Sequence, residues 1–174
     1  MRNYRWLWVV VIAVIVVAVD QWTKNLIESR IPLWESYAPF PSLASYFSLV
    51  HYQNSGAAFG LLRGQAGLFI VVAAVVVAII VIYSRFVEYE TWLTRLALGL
   101  MLAGALGNLV DRLTQNGMVT DFLLFSAPIA GRVYEWPAFN VADTCIVVGT
   151  ILLALQLLRA ESQRTESGET KKAE

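Results

Sequence analysis

The sequence predicts an α-helical integral membrane protein with four transmembrane helices and a small β-rich cradle on the outer membrane face. The chain of 174 residues is 57% hydrophobic and only 15% charged, whereas soluble domains are about half apolar and about a quarter charged. Its apolar residues are concentrated in four blocks, each near the roughly 20 residues that a bilayer requires. The polar segment between the first two blocks contains a stretch typical of a strand, Tyr46–Tyr52.

The first apolar block, Trp6–Val19, follows Arg2 and Arg5 and has the general form of a signal peptide. No small-residue cleavage site follows it, however. With Leu26 and Ile27 the segment becomes long enough to span a bilayer. We therefore predict an uncleaved first helix.

Three further apolar blocks predict the remaining helices: Leu68–Tyr83, Leu96–Val110 and Phe139–Leu158. The distribution of Lys and Arg then predicts the topology, because cytoplasmic segments carry an excess of both residues. With the N-terminus inside, the inner segments carry eight such residues: Arg2, Arg5, Arg85, Arg95, Arg159, Arg164, Lys171 and Lys172. The outer segments carry five: Lys24, Arg30, Arg63, Arg112 and Arg132. This distribution favours a cytoplasmic location for both termini.

The predicted organisation is one four-helix transmembrane domain over residues 1–159, followed by a tail over 160–174. The domain would include a β-rich insertion on the outer face at about 32–64 and an outer loop at about 113–138. The tail is charged and has no apolar periodicity, so it is predicted to be disordered in the cytoplasm. Gly99, Ala103 and Gly107 recur at four-residue spacing in the third helix, and we interpret them as helix-packing residues.

Composition excludes several classes of function. The formal net charge is zero, which argues against a nucleic-acid partner. The single cysteine, Cys145, rules out an intramolecular disulfide framework and a cysteine-rich metal site. The only histidine, His51, lies in the strand-like stretch and is interpreted as a satisfied or surface residue rather than a catalytic base. We expect neither a metal nor a cofactor.

Polar side chains collect at one predicted face of the membrane. An ionisable residue within a transmembrane segment costs a few kcal/mol, so such residues indicate function more often than anchoring. The set comprises Asp20 and Lys24 in the first helix, Asn54 in the first outer segment, Asn108, Asp111 and Arg112 at the end of the third helix, Asp121 in the next loop, and Asn140 and Asp143 at the start of the fourth helix. We predict that this face carries the functional site.

Spacing predicts local partners within this set. Asp20 and Lys24 are four residues apart, the spacing of an intrahelical ion pair. Such a pair fits a structural tether and a direct catalytic role equally well. Asp111 is adjacent to Arg112, which we predict to be its charge partner.

Asp121 and Asp143 have no adjacent cation in the sequence. Two such carboxylates brought together near a membrane interface form a candidate proton-sharing pair, because like charges at short range raise one pKa. No serine or cysteine has the neighbours that nucleophilic catalysis requires, and four acids with one distant histidine make a poor zinc site. Acid–base chemistry is therefore the favoured interpretation.

Five motifs in this sequence resemble those of lipoprotein signal peptidase (signal peptidase II), a bacterial aspartic intramembrane protease. They are Asp-Gln-Trp-Thr-Lys at 20–24, Asn-Ser-Gly-Ala-Ala-Phe-Gly at 54–60, Gly-Ala-Leu-Gly-Asn-Leu-Val-Asp-Arg at 104–112, Val-Thr-Asp-Phe at 119–122 and Phe-Asn-Val-Ala-Asp at 139–143. All five occur in the order of the family, and the resemblance extends over nearly the whole chain except the tail. The family usually has Val where Thr120 precedes Asp121, and the stretch between Asp121 and Asp143 is longer here.

The resemblance implies that Asp121 and Asp143 are the catalytic pair. It places a further set of residues at supporting or substrate-binding positions: Asp20, Lys24, Asn54, Gly56, Asn108, Asp111, Arg112, Asn140 and Ala142. One aspartate of the pair would take a proton from water while the other, protonated, polarises the scissile carbonyl.

The resemblance also implies partners and a location. The substrates would be diacylglyceryl-modified prolipoproteins, cut before the modified cysteine, with membrane lipid as the surroundings and globomycin-type peptides as inhibitors. The enzyme would be a monomer in the bacterial cytoplasmic (inner) membrane, with its active site toward the outer face.

Two other classes of function compete with this interpretation. A small proton- or ion-coupled transporter would also use intramembrane carboxylates, but it would place them at mid-membrane depth or on both sides, often in repeated or broken helices. A scaffold subunit would explain Gly99 and Gly107 but not the acids.

Overall fold

In the computed structural model, which describes residues 4–56, 64–86 and 91–173, the chain folds into helices and one antiparallel sheet. The helices are Leu7–Arg30 (α1), Ala66–Phe86 (α2), Trp92–Thr114 (α3) and Val141–Ala173 (α4). The strands are Ser36–Tyr37 (β1), Phe47–Asn54 (β2), Val119–Ile129 (β3) and Arg132–Glu135 (β4).

Four helices in the described part of the chain are long and apolar enough to cross a membrane: Tyr4–Arg30, Ala66–Arg85, Trp92–Thr114 and Val141–Arg159. Their outward faces expose large apolar side chains such as Val14, Ile79 and Leu157, as expected of surfaces that contact lipid. The predicted four-helix plan is therefore confirmed. Most of the helices extend beyond the predicted apolar blocks, because polar turns at their ends remain helical. Helix α4 instead begins at Val141, two residues after the predicted start at Phe139.

Helix α3 is the centre of the bundle and packs against α1, α2 and α4. Small residues make this possible. A Cβ on Gly99 would lie 2.7 Å from Ile12 Cγ2 on α1, and one on Gly104 would collide with the carbonyl oxygen of Ala142 on α4. The packing role predicted for Gly99 is confirmed, since the absent side chain allows close helix approach.

The sheet has the strand order β1-β2-β3-β4, and each neighbouring pair is antiparallel. The predicted strand at Tyr46–Tyr52 is confirmed as β2. The central pairing of β2 with β3 sets Tyr52 opposite Asp121 and Asn54 opposite Val119. Residues Ile27, Ile31 and Phe122 pack together where α1 meets the sheet, so the sheet is fixed against the end of the bundle.

The predicted outer loop at about 113–138 is wrong in detail, because most of it forms β3 and β4. The β-branched and aromatic residues after Gly117 suit a pleated strand. Ala130 and Gly131 join the two strands with φ angles of 50° and 77°, which is the backbone of a two-residue hairpin turn. Asp121 therefore lies in a strand and not in a loop.

Two other predicted segments need comment. Helix α4 continues to Ala173, through the tail predicted to be disordered; the Glu, Gln, Arg and Lys of this tail are good helix formers. Residues 57–63 lie outside the described residues, and with them part of the predicted insertion at 32–64 and the end of the motif at 54–60.

Candidate active site

One face of α1 carries the charges that hold the site together. Lys24 Nζ lies 2.8 Å from Asp20 Oδ2 and 2.7 Å from Asp111 Oδ2, and these side chains are almost completely buried. The predicted Asp20–Lys24 ion pair is confirmed. The predicted pairing of Asp111 with Arg112 is wrong, because successive residues on a helix point about 100° apart and Asp111 faces α1 instead.

Asp20 also connects α1 to the start of α4. Its Oδ1 accepts a hydrogen bond of 2.9 Å from the backbone N–H of Ala142. Gly107 leaves the space for this carboxylate, since a Cβ there would lie 2.6 Å from Asp20 Oδ2. Gly107 therefore does more than bring helices together, contrary to the interpretation of helix packing alone.

Asn140 and Asp143 form a reciprocal cap at the start of α4. The backbone N–H of Asp143 donates to Asn140 Oδ1 at 2.9 Å, and the backbone N–H of Asn140 donates to Asp143 Oδ2 at 3.4 Å. This is the hydrogen-bond pattern of a capping box, with Asp at the third helical position. The cap fixes the Asp143 carboxylate in the first turn of α4, where the helix favours negative charge.

Asn108 on α3 links this cap to the buried lysine. Its Nδ2 donates to Asp143 Oδ1 at 2.7 Å. Its Oδ1 accepts from Lys24 Nζ and from Asn140 Nδ2, both at 3.2 Å. The amide orientation of Asn108 is thus determined from both ends.

Asp121 on β3 lies in the same network. Asn140 Nδ2 donates to Asp121 Oδ1 at 2.8 Å, and Asn54 Nδ2 donates to Asp121 Oδ2 at 3.1 Å. Asn140 therefore contacts both predicted catalytic aspartates. Its side-chain amide donates to Asp121, while its backbone N–H and its side-chain oxygen bond to Asp143. The two carboxylates belong to different elements, β3 and α4, and Asn140 links them where the sheet adjoins the helices.

The surroundings of Asp121 favour its protonated form. The side chain is buried, and burial together with the negative charge of Asp143 raises the pKa of Asp121 to about 7. The hydrogen bonds from Asn54 and Asn140 and the positive charge of Lys24 oppose this rise. A carboxyl group with such a pKa can hold a proton at neutral pH.

Arg112 and Gly56 connect the turn after β2 to α3. Arg112 Nη2 donates to the carbonyl of Gly56 and Nη1 to the carbonyl of Asn108, both at 3.3 Å. The backbone N–H of Gly56 donates to Asn54 Oδ1 at 2.9 Å. These contacts fix the amide of Asn54, which in turn donates to Asp121.

The arrangement brings together all the residues that the sequence assigns to the site: Asp20, Lys24, Asn54, Gly56, Asn108, Asp111, Arg112, Asp121, Asn140, Ala142 and Asp143. His51 lies apart from them, with Nδ1 2.8 Å from the carbonyl oxygen of Ile31. Within the described residues, no group of three or more His, Cys, Asp or Glu could hold a metal ion. Two buried carboxyl groups that share hydrogen-bond donors, one of them able to keep a proton, are suited to acid–base activation of water.

A family model described as "Signal peptidase (SPase) II" matches residues 12–159 of this chain. The chain belongs to the signal peptidase II family. Members of this family are aspartic proteases that process prolipoprotein signal peptides, so the resemblance carried by the five motifs is confirmed and the transporter alternative has no support.

Individual signal peptidase II relatives match over almost their whole length. A lipoprotein signal peptidase of Symbiobacterium thermophilum is 44% identical over 156 residues, which cover 90% of this chain and 97% of the relative. That of Pseudomonas syringae pv. tomato is 42% identical over 170 residues, or 95% and 90% of the two chains. A solved structure of a bacterial membrane enzyme superposes with a TM-score of 0.77 at 32% identity, covering 89% of this chain and 90% of the other.

Several polar residues near the signal peptidase II site were not predicted. Gln21 donates to Asp111 Oδ1 at 2.7 Å, and Glu28, Gln115 and Thr120 form a second cluster behind Asp121. The position of Glu28 could be predicted from the sequence, since it continues the four-residue spacing of Asp20 and Lys24. The capping box could also be predicted, because Asn is followed three residues later by Asp just before an apolar run.

Proposed function

We propose that this chain removes signal peptides from lipid-modified prolipoproteins by aspartic endopeptidase chemistry, with Asp121 and Asp143 as the catalytic pair. The observation that carries the proposal is the buried network in which Asn140 contacts both carboxyl groups. Membership of the signal peptidase II family supports the reaction class and the substrate class.

In this proposal Asp121 holds the shared proton and Asp143 is ionised. Asp143 takes a proton from a water molecule, whose oxygen then adds to the scissile carbonyl carbon. Asp121 donates its hydrogen bond to the carbonyl oxygen, where negative charge develops. The raised pKa of Asp121 and the position of Asp143 in the first turn of α4 support this division of roles.

Asn108 and Asn140 act as orienting residues. Both point amide donors at the carboxyl groups, at 2.7 Å for Asn108 to Asp143 and 2.8 Å for Asn140 to Asp121. Because Asn108 Oδ1 accepts from Lys24, its Nδ2 must face Asp143. The buried Lys24 therefore determines the direction of the Asn108 donor without contacting the reacting atoms.

We further propose that both termini are cytoplasmic and that the sheet lies on the outer side of the bacterial inner membrane. The excess of Lys and Arg on the opposite side supports this orientation. The lipid of the substrate cysteine would lie between apolar helix faces, and cleavage would occur just before that cysteine. We expect a monomeric enzyme that globomycin-type peptides inhibit by occupying the same site.

The central experiment compares cleavage of a diacylglyceryl-modified prolipoprotein by the purified enzyme and by two variants, Asp121→Asn and Asp143→Asn. Each substitution keeps the shape of the side chain but removes its ability to exchange a proton, so kcat should fall by about 10²–10⁴-fold. Glu135→Gln, an exposed carboxylate on β4, is the matched control and should retain activity. Near-normal cleavage by either aspartate variant in a folded protein would refute the catalytic assignment.

The orientation has a separate test. In a variant with Cys145→Ala, Ser36→Cys introduces one thiol on the exposed edge strand β1. A membrane-impermeant thiol reagent should label it from outside intact spheroplasts. Labelling only after lysis would reverse the proposed orientation.

A further inference from the structure

Thr120 lies immediately before Asp121 on β3, and its side chain faces the opposite side of the sheet, because successive side chains of a strand alternate. It is paired with Gln53 of β2, whereas Asp121 is paired with Tyr52. Gln53 lines a cavity of about 430 Å³ together with Glu28, His51, Gln115, Asn116 and Met118. The back of the catalytic strand therefore has its own polar surroundings, separate from the Asp121–Asp143 site.

Each polar group of Thr120 has a partner. Its backbone N–H donates to Asp111 Oδ2 at 3.3 Å, and its carbonyl accepts from Asn140 Nδ2 at 3.3 Å. Its hydroxyl donates to Glu28 Oε1 at 2.5 Å. The side chain is completely buried, so its hydroxyl depends on protein partners for its hydrogen bond.

Glu28, the acceptor of the Thr120 hydroxyl, lies on α1. Gln115 at the end of α3 donates to the same Glu28 oxygen at 2.9 Å, so the carboxylate accepts from two elements at once. Hydrogen bonds to a charged acceptor are about twice as strong as neutral ones. Glu28 is only partly buried and lines the open cavity.

Glu28 also completes a stripe on α1. Asp20, Lys24 and Glu28 are spaced four residues apart and so lie on one helix face. Asp20 bonds to the start of α4, Lys24 pairs with Asp111 on α3, and Glu28 bonds to β3. One face of α1 therefore contacts each of the elements that contribute to the proposed catalytic pair.

We propose that Glu28 is a positioning residue for the peptidase reaction, acting on Asp121 through the hydroxyl of Thr120. The inference rests on the proposed role of Asp121 and extends it. By holding the back of β3 against α1, Glu28 keeps the Asp121 carboxyl group at the position where Asn54 and Asn140 reach it. A displacement of about 1 Å in a reacting group can reduce the rate by about 10²-fold.

The test measures kcat and KM of the full-length enzyme on a lipid-modified prolipoprotein for four variants: Glu28→Ala, Glu28→Gln, Thr120→Val and Glu28→Ala/Thr120→Val. Glu28→Ala and Thr120→Val should each lower kcat by about 10-fold or more with little change in KM, since the reacting groups move but the substrate surface does not. Glu28→Gln should restore most of the activity, because its amide oxygen still accepts from Thr120.

The double variant should be no worse than the more damaging single variant, as expected of two residues that act through one bond. The alkaline limb of the pH–kcat profile should shift to lower pH in Glu28→Ala, because a displaced Asp121 gains access to water. Glu35→Ala, at an exposed loop position, is the control and should behave as the parent enzyme.

Unchanged kcat and an unchanged pH profile in Glu28→Ala and Thr120→Val, with only a lower melting temperature, would overturn the inference and leave Glu28 a purely structural residue. Should Glu28→Ala fail to fold, Glu28→Leu, which keeps more of the side-chain volume but has no acceptor, decides together with Thr120→Val, since the Thr120 hydroxyl also lies 3.1 Å from Gln115 Oε1. Asp121→Asn is measured in parallel. An inactive Asp121→Asn beside a normal Thr120→Val refutes only the role of Glu28, whereas an active Asp121→Asn refutes the catalytic pair itself.

Discussion

Replacing Lys24 with Met should destabilise the folded protein more than any other change at the charged face of α1. Lys24 is 1% exposed, and its ammonium group lies 2.8 Å from Asp20 and 2.7 Å from Asp111. Met keeps the apolar stem but removes the charge, so two buried carboxylates lose their common cation. Removing one partner of a buried ion pair costs about 3–5 kcal/mol, and we expect a loss of that order in the free energy of unfolding.

A second substitution should recover part of this loss. In Lys24→Met/Asp111→Asn only one carboxylate remains without its cation, and the amide oxygen introduced on α3 can still accept from Gln21. The coupling between the two substitutions should therefore be large and favourable, as for residues that share one network. Arg30→Met, at the exposed end of the same helix, removes the same charge and should change the stability by less than about 0.5 kcal/mol.

The measurement is equilibrium unfolding of the purified protein in mixed micelles, followed by tryptophan fluorescence. A Lys24→Met variant within about 1 kcal/mol of the parent protein, or no coupling to Asp111→Asn, would show that the buried charges are compensated in some other way. The same samples should show reduced peptidase activity, because Asn108 would lose one of the two donors that direct its amide toward Asp143.

Four further predictions follow from the same geometry. Measured on a lipid-modified prolipoprotein, kcat should fall about tenfold per pH unit above about 7, where Asp121 loses the proton that the pair requires. The raised pKa also means that the folded state keeps this proton between pH 3.8 and about 7, while the unfolded state releases it. The free energy of unfolding should therefore fall as the pH rises through that interval, and Asp121→Asn should weaken this dependence. Gly107→Ala should lower the free energy of unfolding by about 1–3 kcal/mol, because its Cβ would push against the Asp20 carboxylate. The melting temperature and the peptidase activity should both fall. Asn140→Ala should lower kcat through lost contacts to both aspartates and should cost about 0.5–2 kcal/mol of stability through loss of the α4 cap, measured by kinetics and by unfolding.

The sequence was sufficient to predict the elements and residues that carry local or compositional signals. Apolar blocks predicted four helices, and the four-residue spacing of Asp20 and Lys24 predicted their ion pair. The partner of Asp111 was not predictable in this way, because adjacency to Arg112 suggested a pair that helix geometry forbids. Identifying Lys24 as that partner requires the packing of α3 against α1, which no spacing within one helix reveals.

The strand that carries Asp121 shows a different limit. Val119–Ile129 contains suitable strand residues, but its position between two transmembrane helices predicts only an outer loop. The hairpin turn, Ala130-Gly131, also lacks the Asn-Gly or Asp-Gly sequence that would indicate paired strands. The alternation of side chains along β3 explains why Thr120 and Asp121 have different partners, which the motif alone does not reveal. It directs Asp121 toward Asn140 and Thr120 toward Glu28, so two neighbouring residues belong to two different networks.

Asn140 shows why the start of α4 and the proposed chemistry depend on each other. A helix that begins at a membrane interface leaves backbone N–H groups without intrahelical partners, and Asn140 Oδ1 satisfies one of them at Asp143. That bond fixes the amide plane of Asn140, and the amide plane then directs Nδ2 toward Asp121. Any residue that caps α4 without an amide donor, such as Ser or Asp, should therefore preserve the helix but not the contact with Asp121. Asn140→Asp and Asn140→Ser should accordingly keep the helix start while losing activity. Asn140→Asp should also be the less stable of the two, because it buries a third carboxyl group beside Asp121 and Asp143. A variant of either kind that cleaves normally would show that the donor to Asp121 is dispensable.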